Sequence, residues 1–416
     1  MRRRVSLLLL LVSLTPCWSI AEHARPTDVP AAPFRGYRLG PFLLRPTLHL
    51  GTIGLDTNVF YTATERQTDL TGSGGPGLEV ALPIRSVELA VFGNVDYLYF
   101  LRTESLRRLS GGGGGRVRWN ASRFRIGIER SYGTSFKRPA LEVDRRLFIG
   151  QWQTHIDLAL QGPAASGRFG LDSSLRADRI KVDPNQTFLG ADPISLNRDV
   201  YAATLRLRYS LTPKTALVSL TDYQLDRFLE NDRRNADSNR MGLGFQLTSA
   251  TRLAGRLVAG VRSFRPRFPA GAKRLWPPFV QGDFTYRFGP RTRLLGAYNS
   301  DIDYSVFAVD GPTPTARTEV STLRLEKDLI AGLSIIFLGN YRRFKTEGRV
   351  TVVREDASSE TGVRDDQTYE GGADLGYRFR FHLRIGASAV YSKRRSTFAD
   401  FGVQGLLLGG TVTFQP

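Results

Sequence analysis

His155 and Asp157 are the residues whose types and spacing come nearest to catalytic chemistry. Residues two apart in an extended strand point to the same face, with Cβ atoms roughly 7 Å apart. A carboxylate beside an imidazole can orient it as a general base. No serine and no second acidic pair has a spacing that would complete a hydrolase site, and His49 and His382 are further polar candidates for the same face. We therefore expect polar wall residues here and no enzyme.

Two other motifs have the spacing of ligand sites. Asp56-Thr57-Asn58 resembles the start of a calcium loop, but no bidentate glutamate follows to complete it. Gly111–Gly115 resembles a phosphate loop, but no Lys-Ser/Thr pair and no helical pattern follows, so it predicts a loop that leads into a strand. The sequence therefore predicts neither a metal site nor a cofactor.

Arginine is the residue type in this chain that is best suited to bind a ligand. If the apolar residues face outward, the opposite face receives a set of arginines: Arg116, Arg118, Arg125, Arg176, Arg206, Arg208, Arg256, Arg262, Arg287, Arg324, Arg342, Arg378 and Arg384. It also receives a smaller set of acids: Glu88, Asp96, Glu129, Asp157, Asp172, Asp178, Asp283, Glu326, Glu370 and Asp374. A guanidinium binds carboxylate, sulfate or phosphate through two parallel hydrogen bonds. These arginines are candidate anion contacts, but arginine–acid pairs that only brace a wall are an equal alternative.

The chain as a whole is basic, with a formal net charge of +19. Part of the excess lies in segments that read as connections: Arg102, Arg107, Arg108, Arg138, Arg145, Arg146, Arg233, Arg234, Lys273 and Arg274. We expect a basic mouth that raises the local concentration of anions. An exported protein gives no reason to infer a nucleic-acid partner from this charge.

The element that must position these side chains is the β-strand. From Phe42 to Phe414, apolar and polar residues alternate in some eighteen runs of about ten residues. Short and long connections alternate between the runs, which is typical of a transmembrane antiparallel up-and-down barrel. We predict an all-β barrel of about 18 strands, with 16 as the alternative because the pairs near 42–61 and 75–82 are weakest. A large soluble β-sandwich is the competing fold.

The chain divides into three segments. Residues 1–21 read as a signal peptide, with Arg2–Arg4, a short apolar stretch and a cleavage site near Ala21. Cys17 belongs to this segment, and Pro16 before it disfavours lipidation. Residues 22–41 read as a flexible periplasmic segment and 42–416 as an outer-membrane barrel. Outward aromatic residues such as Tyr99, Tyr209 and Tyr377 are expected at the membrane interfaces.

The connections fall into two classes. We predict tight periplasmic turns near 83–85, 121–123, 162–166, 212–214, 249–251, 289–291, 330–331 and 380–381. We predict long extracellular loops near 62–74, 101–112, 134–146, 182–198, 228–238, 265–276, 303–317, 346–367 and 393–403. The loops at 182–198 and 346–367 are the longest, so any constriction of the lumen is sought there first.

The opening of the barrel carries a family resemblance. The segments 44–51 (LRPTLHLG) and 54–60 (GLDTNVF) resemble the opening of the second β-barrel porin group, an outer-membrane family often linked to exopolysaccharide loci. An apolar strand, a glycine and a D-x-N-[VI]-[FY] element carry the resemblance, which supplies no catalytic or binding residues. The alginate exporter, a barrel with an arginine-lined lumen, is a looser likeness of form.

These observations together predict a passive channel of a Gram-negative outer membrane. The leading hypothesis is passage or export of acidic exopolysaccharide, with the lumen arginines as transient contacts. A general small-anion porin and a closed barrel with an enzymatic or adhesion role are the alternatives. Expected partners are outer-membrane lipid and lipopolysaccharide, the barrel assembly machinery and periplasmic polysaccharide-export components.

Overall fold

A computed structural model describes most of the predicted barrel. The described residues are 36–63, 66–138, 143, 146–161, 168–184, 196–247, 252–268, 274–305, 309–310, 315–330, 332–353, 359–379 and 383–414. Residues 1–35, which hold the predicted signal peptide and most of the N-terminal segment, lie outside them, as does His382.

The described chain is almost entirely β-strand. Eighteen long strands follow one another: β1 Phe42–Asp56, β2 Asp69–Ile84, β3 Val87–Phe100, β4 Arg108–Asn120, β5 Phe124–Lys137, β6 Leu147–Gln161, β7 Phe169–Val182, β8 Arg198–Ser210, β9 Thr215–Phe228, β10 Ala236–Leu247, β11 Leu253–Pro266, β12 Pro278–Arg287, β13 Thr292–Tyr304, β14 Thr315–Ile330, β15 Leu333–Val353, β16 Ser359–Arg378, β17 Leu383–Ser396 and β18 Val403–Phe414. Three 3₁₀ turns lie at Glu104–Leu106, Asp232–Arg234 and Ala399–Phe401. No helix among the described residues is long and apolar enough to cross a membrane.

The strands form one closed antiparallel sheet, which confirms the predicted barrel of 18 strands. Each strand pairs with its neighbours in the chain, and β1 pairs with β18, with Leu48 opposite Phe414 and Leu55 opposite Leu408. A bulge between Leu50 and Ile53 interrupts this last pairing. Closure leaves no unpaired edge in the ring of long strands, which removes the hazard of edge-to-edge association.

Strand pairing fixes which side chains share a face, because residues directly opposite each other in adjacent strands point the same way. One face carries large apolar side chains that are open to the surroundings; Val91 on β3, for example, is 68 % exposed. The other face carries the arginines and acids. The alternation seen in the sequence is therefore the alternation of two barrel faces.

Aromatic residues on the apolar face form two girdles. The girdle near the short turns contains Trp119, Phe124, Phe169, Tyr209, Phe288 and Tyr377. The girdle nearer the long connections contains Tyr97, Tyr132, Trp152, Tyr201, Tyr223, Tyr298, Tyr369 and Tyr391. Tyr201 and Tyr209 lie eight positions apart on β8, about 26 Å along the strand and about 20 Å along the membrane normal at the usual barrel tilt of about 40°. An apolar band of about 25 Å between aromatic girdles is the pattern of membrane barrels.

The strands run further than the sequence analysis predicts. Gly111–Gly115 lies inside β4, not in a loop, and residues 69–74 belong to β2. The predicted loop at 346–367 is wrong over most of its length, because β15 and β16 pair as far as Val353 opposite Ser359. Short strands at Tyr37–Leu39 and Val309–Asp310 pair with β1 and β15. Glycines hide the alternation at 111–115, and charged residues occur at the ends of β15 and β16 beyond the aromatic girdles, where no lipid layer enforces the pattern.

Candidate functional site: the inner face of the barrel

Contacts that skip strands identify the charged face as the inner one. Arg116 on β4 reaches Glu79 on β2 at 3.0 Å, and His49 Nε2 on β1 lies 2.9 Å from Asp96 on β3. Arg146, just before β6, reaches across to Asp56 at the end of β1, also at 3.0 Å. Only the concave side of a closed sheet brings side chains of non-adjacent strands together in this way.

All thirteen predicted arginines lie on this inner face by strand register. Eight of them have a carboxylate within 4.0 Å. The pairs are Arg116–Glu79, Arg125–Asp157, Arg176–Asp178, Arg256–Asp283, Arg262–Asp301, Arg324–Glu326, Arg342–Glu370 and Arg384–Asp374. The bracing interpretation therefore applies to these eight.

Arg116 shows how tightly a paired arginine is held. Its guanidinium donates to Glu79 at 3.0 Å and to Glu88 at 3.3 Å, and Glu129 lies 3.9 Å away. Arg45 on β1 also donates to Glu79, at 2.6 Å. Five neighbouring strands are thus tied by one network, and the acids around Arg116 leave it little capacity to bind a passing solute.

A second network lies on β9 to β13. Arg240 donates to Asp222 and to Asp301, and Arg262 donates to Asp301 at 3.1 Å and to the Ser238 hydroxyl at 2.9 Å. The sequence analysis missed Arg45 and Arg240. Arg240 alternates with the outward residues Met241, Leu243 and Phe245, so the parity of its strand could have placed it on the inner face.

The other five predicted arginines have no carboxylate within 4.0 Å among the residues that the structure describes: Arg118, Arg206, Arg208, Arg287 and Arg378. Arg206 stands opposite Asp172 in the register without forming an ion pair, and its buried Nε has no hydrogen-bond partner. The Arg208 guanidinium lies over Gly170, where a Cβ would come within 3.1 Å of it. All five lie within four residues of a short turn.

The long-connection end of the barrel is packed differently. Val143, from the connection before β6, and Leu196, from the one before β8, pack on Leu147, Ile149 and Val182. Phe398 and Phe401 pack on Val350, and Leu275 packs against Phe264, Ala236 and Ile302. Connections therefore fold onto the strand ends at this mouth. Of the predicted loop at 182–198, Leu196 takes part in this packing, while 185–195 lie outside the described residues and the constriction stays a prediction.

The Asp56-Thr57-Asn58 motif works as a clasp at the same mouth. Asn58 is buried; its side-chain amide donates to the Thr62 carbonyl at 2.8 Å and to the Gln404 carbonyl at 3.1 Å. Asp56 accepts from the Asn58 backbone N–H at 2.9 Å and from Arg146 at 3.0 Å. The motif joins β1, β18 and the connection before β6, which accounts for its residue types without a metal.

The other residues considered for catalysis or ligand binding are part of the barrel wall. His155 lies opposite Glu129 and Arg176 in the register, and Asp157 lies 4.0 Å from Arg125. No group of three histidine, cysteine or acidic side chains among the described residues has the arrangement of a metal site. Gly112 and Gly114 leave a stretch of inner wall without side chains, and Asn94, Ser131, Gln151 and Gln153 line the polar hollow beside it.

The charge of the long connections differs from the predicted basic mouth. With the observed strand bounds, the nine long connections hold twelve basic and twelve acidic residues. The basic ones are Arg66, Arg102, Arg107, Arg138, Arg145, Arg146, Arg233, Arg234, Arg267, Lys273, Arg274 and Arg354. The acidic ones are Glu65, Glu104, Glu142, Asp144, Asp183, Asp192, Glu230, Asp232, Asp310, Glu355, Asp356 and Asp400. The long connections are therefore neutral overall, because acids interleave with the arginines.

Comparisons with known proteins return solved structures only. No protein-family model matches the chain, and no curated protein matches it, so membership of the second β-barrel porin group stays a prediction. OpdL of Pseudomonas aeruginosa is similar at 13 % identity, over 91 % of this chain and 99 % of that one, with a TM-score of 0.48. OccAB3 of Acinetobacter baumannii is similar at 11 % identity, over 90 % and 99 %, with a TM-score of 0.47. A BenF-like porin from Pseudomonas fluorescens is similar at 10 % identity, over 91 % and 100 %, with a TM-score of 0.49.

Proposed function

We propose that this chain is a passive outer-membrane channel for anionic solutes, with acidic saccharide polymers or oligomers as its leading substrate class. The observation that carries the proposal is the division of charge on the inner face. Eight predicted arginines are paired with acids, whereas Arg118, Arg206, Arg208, Arg287 and Arg378 form no ion pair among the described residues. An unpaired guanidinium in a water-filled lumen is free to bind a carboxylate and release it again.

The architecture supports a conduit in a membrane. A barrel of eight strands is filled by its own side chains, while one of sixteen to eighteen leaves an aqueous channel. The closed ring of eighteen strands falls in the second class. The apolar outer face between two aromatic girdles has the dimensions of a lipid layer, and an exported barrel of this kind belongs in the outer membrane.

A small-anion porin is the second candidate, and the packed loop mouth favours it. The clusters around Val143, Phe401 and Phe264 lie at the strand ends where the long connections fold over. A mouth narrowed by such connections would favour small anions over an extended polymer. Permeation of acidic oligosaccharides of increasing length separates the two candidates.

Planar-bilayer conductance tests the proposal. We expect open-channel steps with a preference for chloride over potassium, and a loss or reversal of that preference in the double variant R206E/R208E. Each charge reversal at about 5 Å in water changes an ion's energy by roughly 1–2 kcal/mol before screening. The reversal potential in a salt gradient gives the permeability ratio.

The matched control is R233E/R234E. It changes the net charge by the same amount in a connection where Glu230 and Asp232 already balance the arginines. Its permeability ratio should stay near that of the parent protein. Absence of conductance in the parent would overturn the channel function, and equal selectivity in both variants would remove Arg206 and Arg208 from it.

A further inference from the structure

The short turns carry charge of one sign only. Their residues are 85–86, 121–123, 162–168, 211–214, 248–252, 288–291, 331–332 and 379–382. Seven of these eight turns contain one lysine or arginine, and none contains an aspartate or glutamate. Six of the cations belong to the described residues: Arg85, Arg123, Arg168, Lys214, Arg252 and Arg291. We call these six the turn ring.

The turn ring is free of ion pairs. All six side chains are exposed, and none has a carboxylate within 4.0 Å among the residues that the structure describes. The five inner arginines that lack a carboxylate lie directly above the ring, within four residues of the turns. Eleven cations without an ion pair among the described residues therefore lie at or near one mouth, while the connections at the opposite mouth carry no net charge.

We propose that the turn-side mouth is a binding site for a polyanion, a linear oligomer or polymer bearing several carboxylate or sulfate groups. A single exposed ion pair is worth little, so a ring of separated cations gains affinity only from a ligand that engages several at once. This inference deepens the proposed function, on which it rests, by naming a multivalent ligand and the mouth that receives it.

The inner arginines distinguish this ligand from membrane lipid. Turn cations beside outward apolar residues, such as Arg123 next to Phe124, are also placed to meet phospholipid headgroups. Arg118, Arg206 and Arg208 project from the inner wall, where no headgroup of the surrounding layer reaches them. A ligand on the barrel axis contacts both sets.

Binding of fluorescently labelled oligogalacturonate to the purified full-length protein in detergent tests the site. The ring variant R85Q/R123Q/R168Q/K214Q/R252Q/R291Q removes the turn cations. The inner variant R118Q/R206Q/R208Q/R287Q/R378Q removes the wall cations. The matched control R66Q/R102Q/R233Q/R234Q/R267Q/R274Q removes six cations from the loop side. We expect affinity to fall at least tenfold in the ring and inner variants and to stay within twofold in the control.

Two results would overturn the inference. Equal losses in the ring variant and the control would mean that only net charge matters. Retention of phosphatidylglycerol by the parent but not by the ring variant, without oligogalacturonate binding, would assign the ring to lipid headgroups. Conductance of the same preparations separates the two proposals: a conducting parent that fails to bind the oligomer defeats this inference alone. A binding but non-conducting parent defeats the channel function alone.

Discussion

Arg116 and Arg206 occupy equivalent places on their strands, each four residues from a short turn on the inner face. The two arginines differ in how many carboxylates surround them. Arg116 has three glutamates within 4.0 Å, whereas Arg206 has none and faces Asp172 without contact. Alternation determines the face of a residue, but the reach of each carboxylate determines which charges remain available to a solute.

Asn58 provides a test at the level of one side chain. The variant N58A removes the two bonds that its amide donates and the bond it accepts from the Thr62 N–H at 3.0 Å. Since the site is buried, we expect the folded state to lose about 1–3 kcal/mol. Urea titration of the refolded barrel, followed by tryptophan fluorescence, measures this loss.

Asn120 supplies the control for that experiment. It is exposed at the end of β4, and N120A should change the unfolding free energy by less than about 0.5 kcal/mol. A small effect at both positions would mean that the clasp does not hold the mouth together.

The inner-face assignment of all thirteen arginines follows from sequence alone, since a strand has a strict period of two. The ion pairs do not follow, because each depends on the stagger between strands that the sequence leaves open. Arg45 could have been placed, because it alternates with Phe42, Leu44, Leu48 and Leu50. The bulge between Leu50 and Ile53 shifts the parity within β1, so residues on its two sides cannot be read with one alternation.

At the scale of elements, the connections contribute more structure than their composition suggests. The connection between β17 and β18 places Phe401 against two arginines, with Arg364 only 3.7 Å above its ring and Arg394 at 5.7 Å. Arg364 and Arg394 both bond Asp366. The short segment Thr397–Gly402 is therefore held against the long hairpin of β15 and β16.

The variant F401A tests that attachment. Deleting a buried phenylalanine costs roughly 3–5 kcal/mol locally, and two buried guanidinium groups lose their aromatic partner. We expect the connection at 397–402 to detach from the hairpin, with faster proteolysis there and larger single-channel conductance steps.

Phe268 is a suitable comparison, because it lies in another long connection and is exposed. F268A should leave both readouts near those of the parent. Unchanged conductance in F401A would show that this connection does not narrow the channel.

The strand count and the order of short and long connections were predictable, since the runs are long and their period is regular. The strand ends were not. A run of five glycines has no alternation to detect, yet Gly112 and Gly114 pair within β4 as fully as their neighbours. Hairpin extensions such as Arg349–Val353 lie beyond the apolar belt, where no lipid enforces the pattern.

For the whole molecule, the distribution of free charge predicts how selectivity responds to salt. The Debye length falls from about 10 Å at 0.1 M to about 3 Å at 1 M ionic strength. Unpaired arginines act on a passing ion across open water, so we expect the chloride-over-potassium preference to weaken steadily over this range. Reversal potentials at a constant concentration ratio measure it.

A preference that persisted unchanged at 1 M salt would contradict this account, because it would require anion contacts too close to be screened. The eight ion-paired arginines provide an internal reference. Replacing Arg342 by glutamine removes a charge already opposed by Glu370 at 3.8 Å and should alter the salt response less than replacing Arg206.

The pairing of β1 with β18 has a consequence for biogenesis. Phe42 and Phe414 lie at opposite ends of the barrel sequence. The seam between Leu48 and Phe414 can therefore form only after almost the whole chain has been synthesised. Without β18, the other seventeen strands can form only an open sheet whose edges, β1 and β17, are unpaired and prone to edge-to-edge association. The precursor must therefore be protected from association until β18 pairs with β1. A chain truncated before β18 could not close the ring and would tend to aggregate.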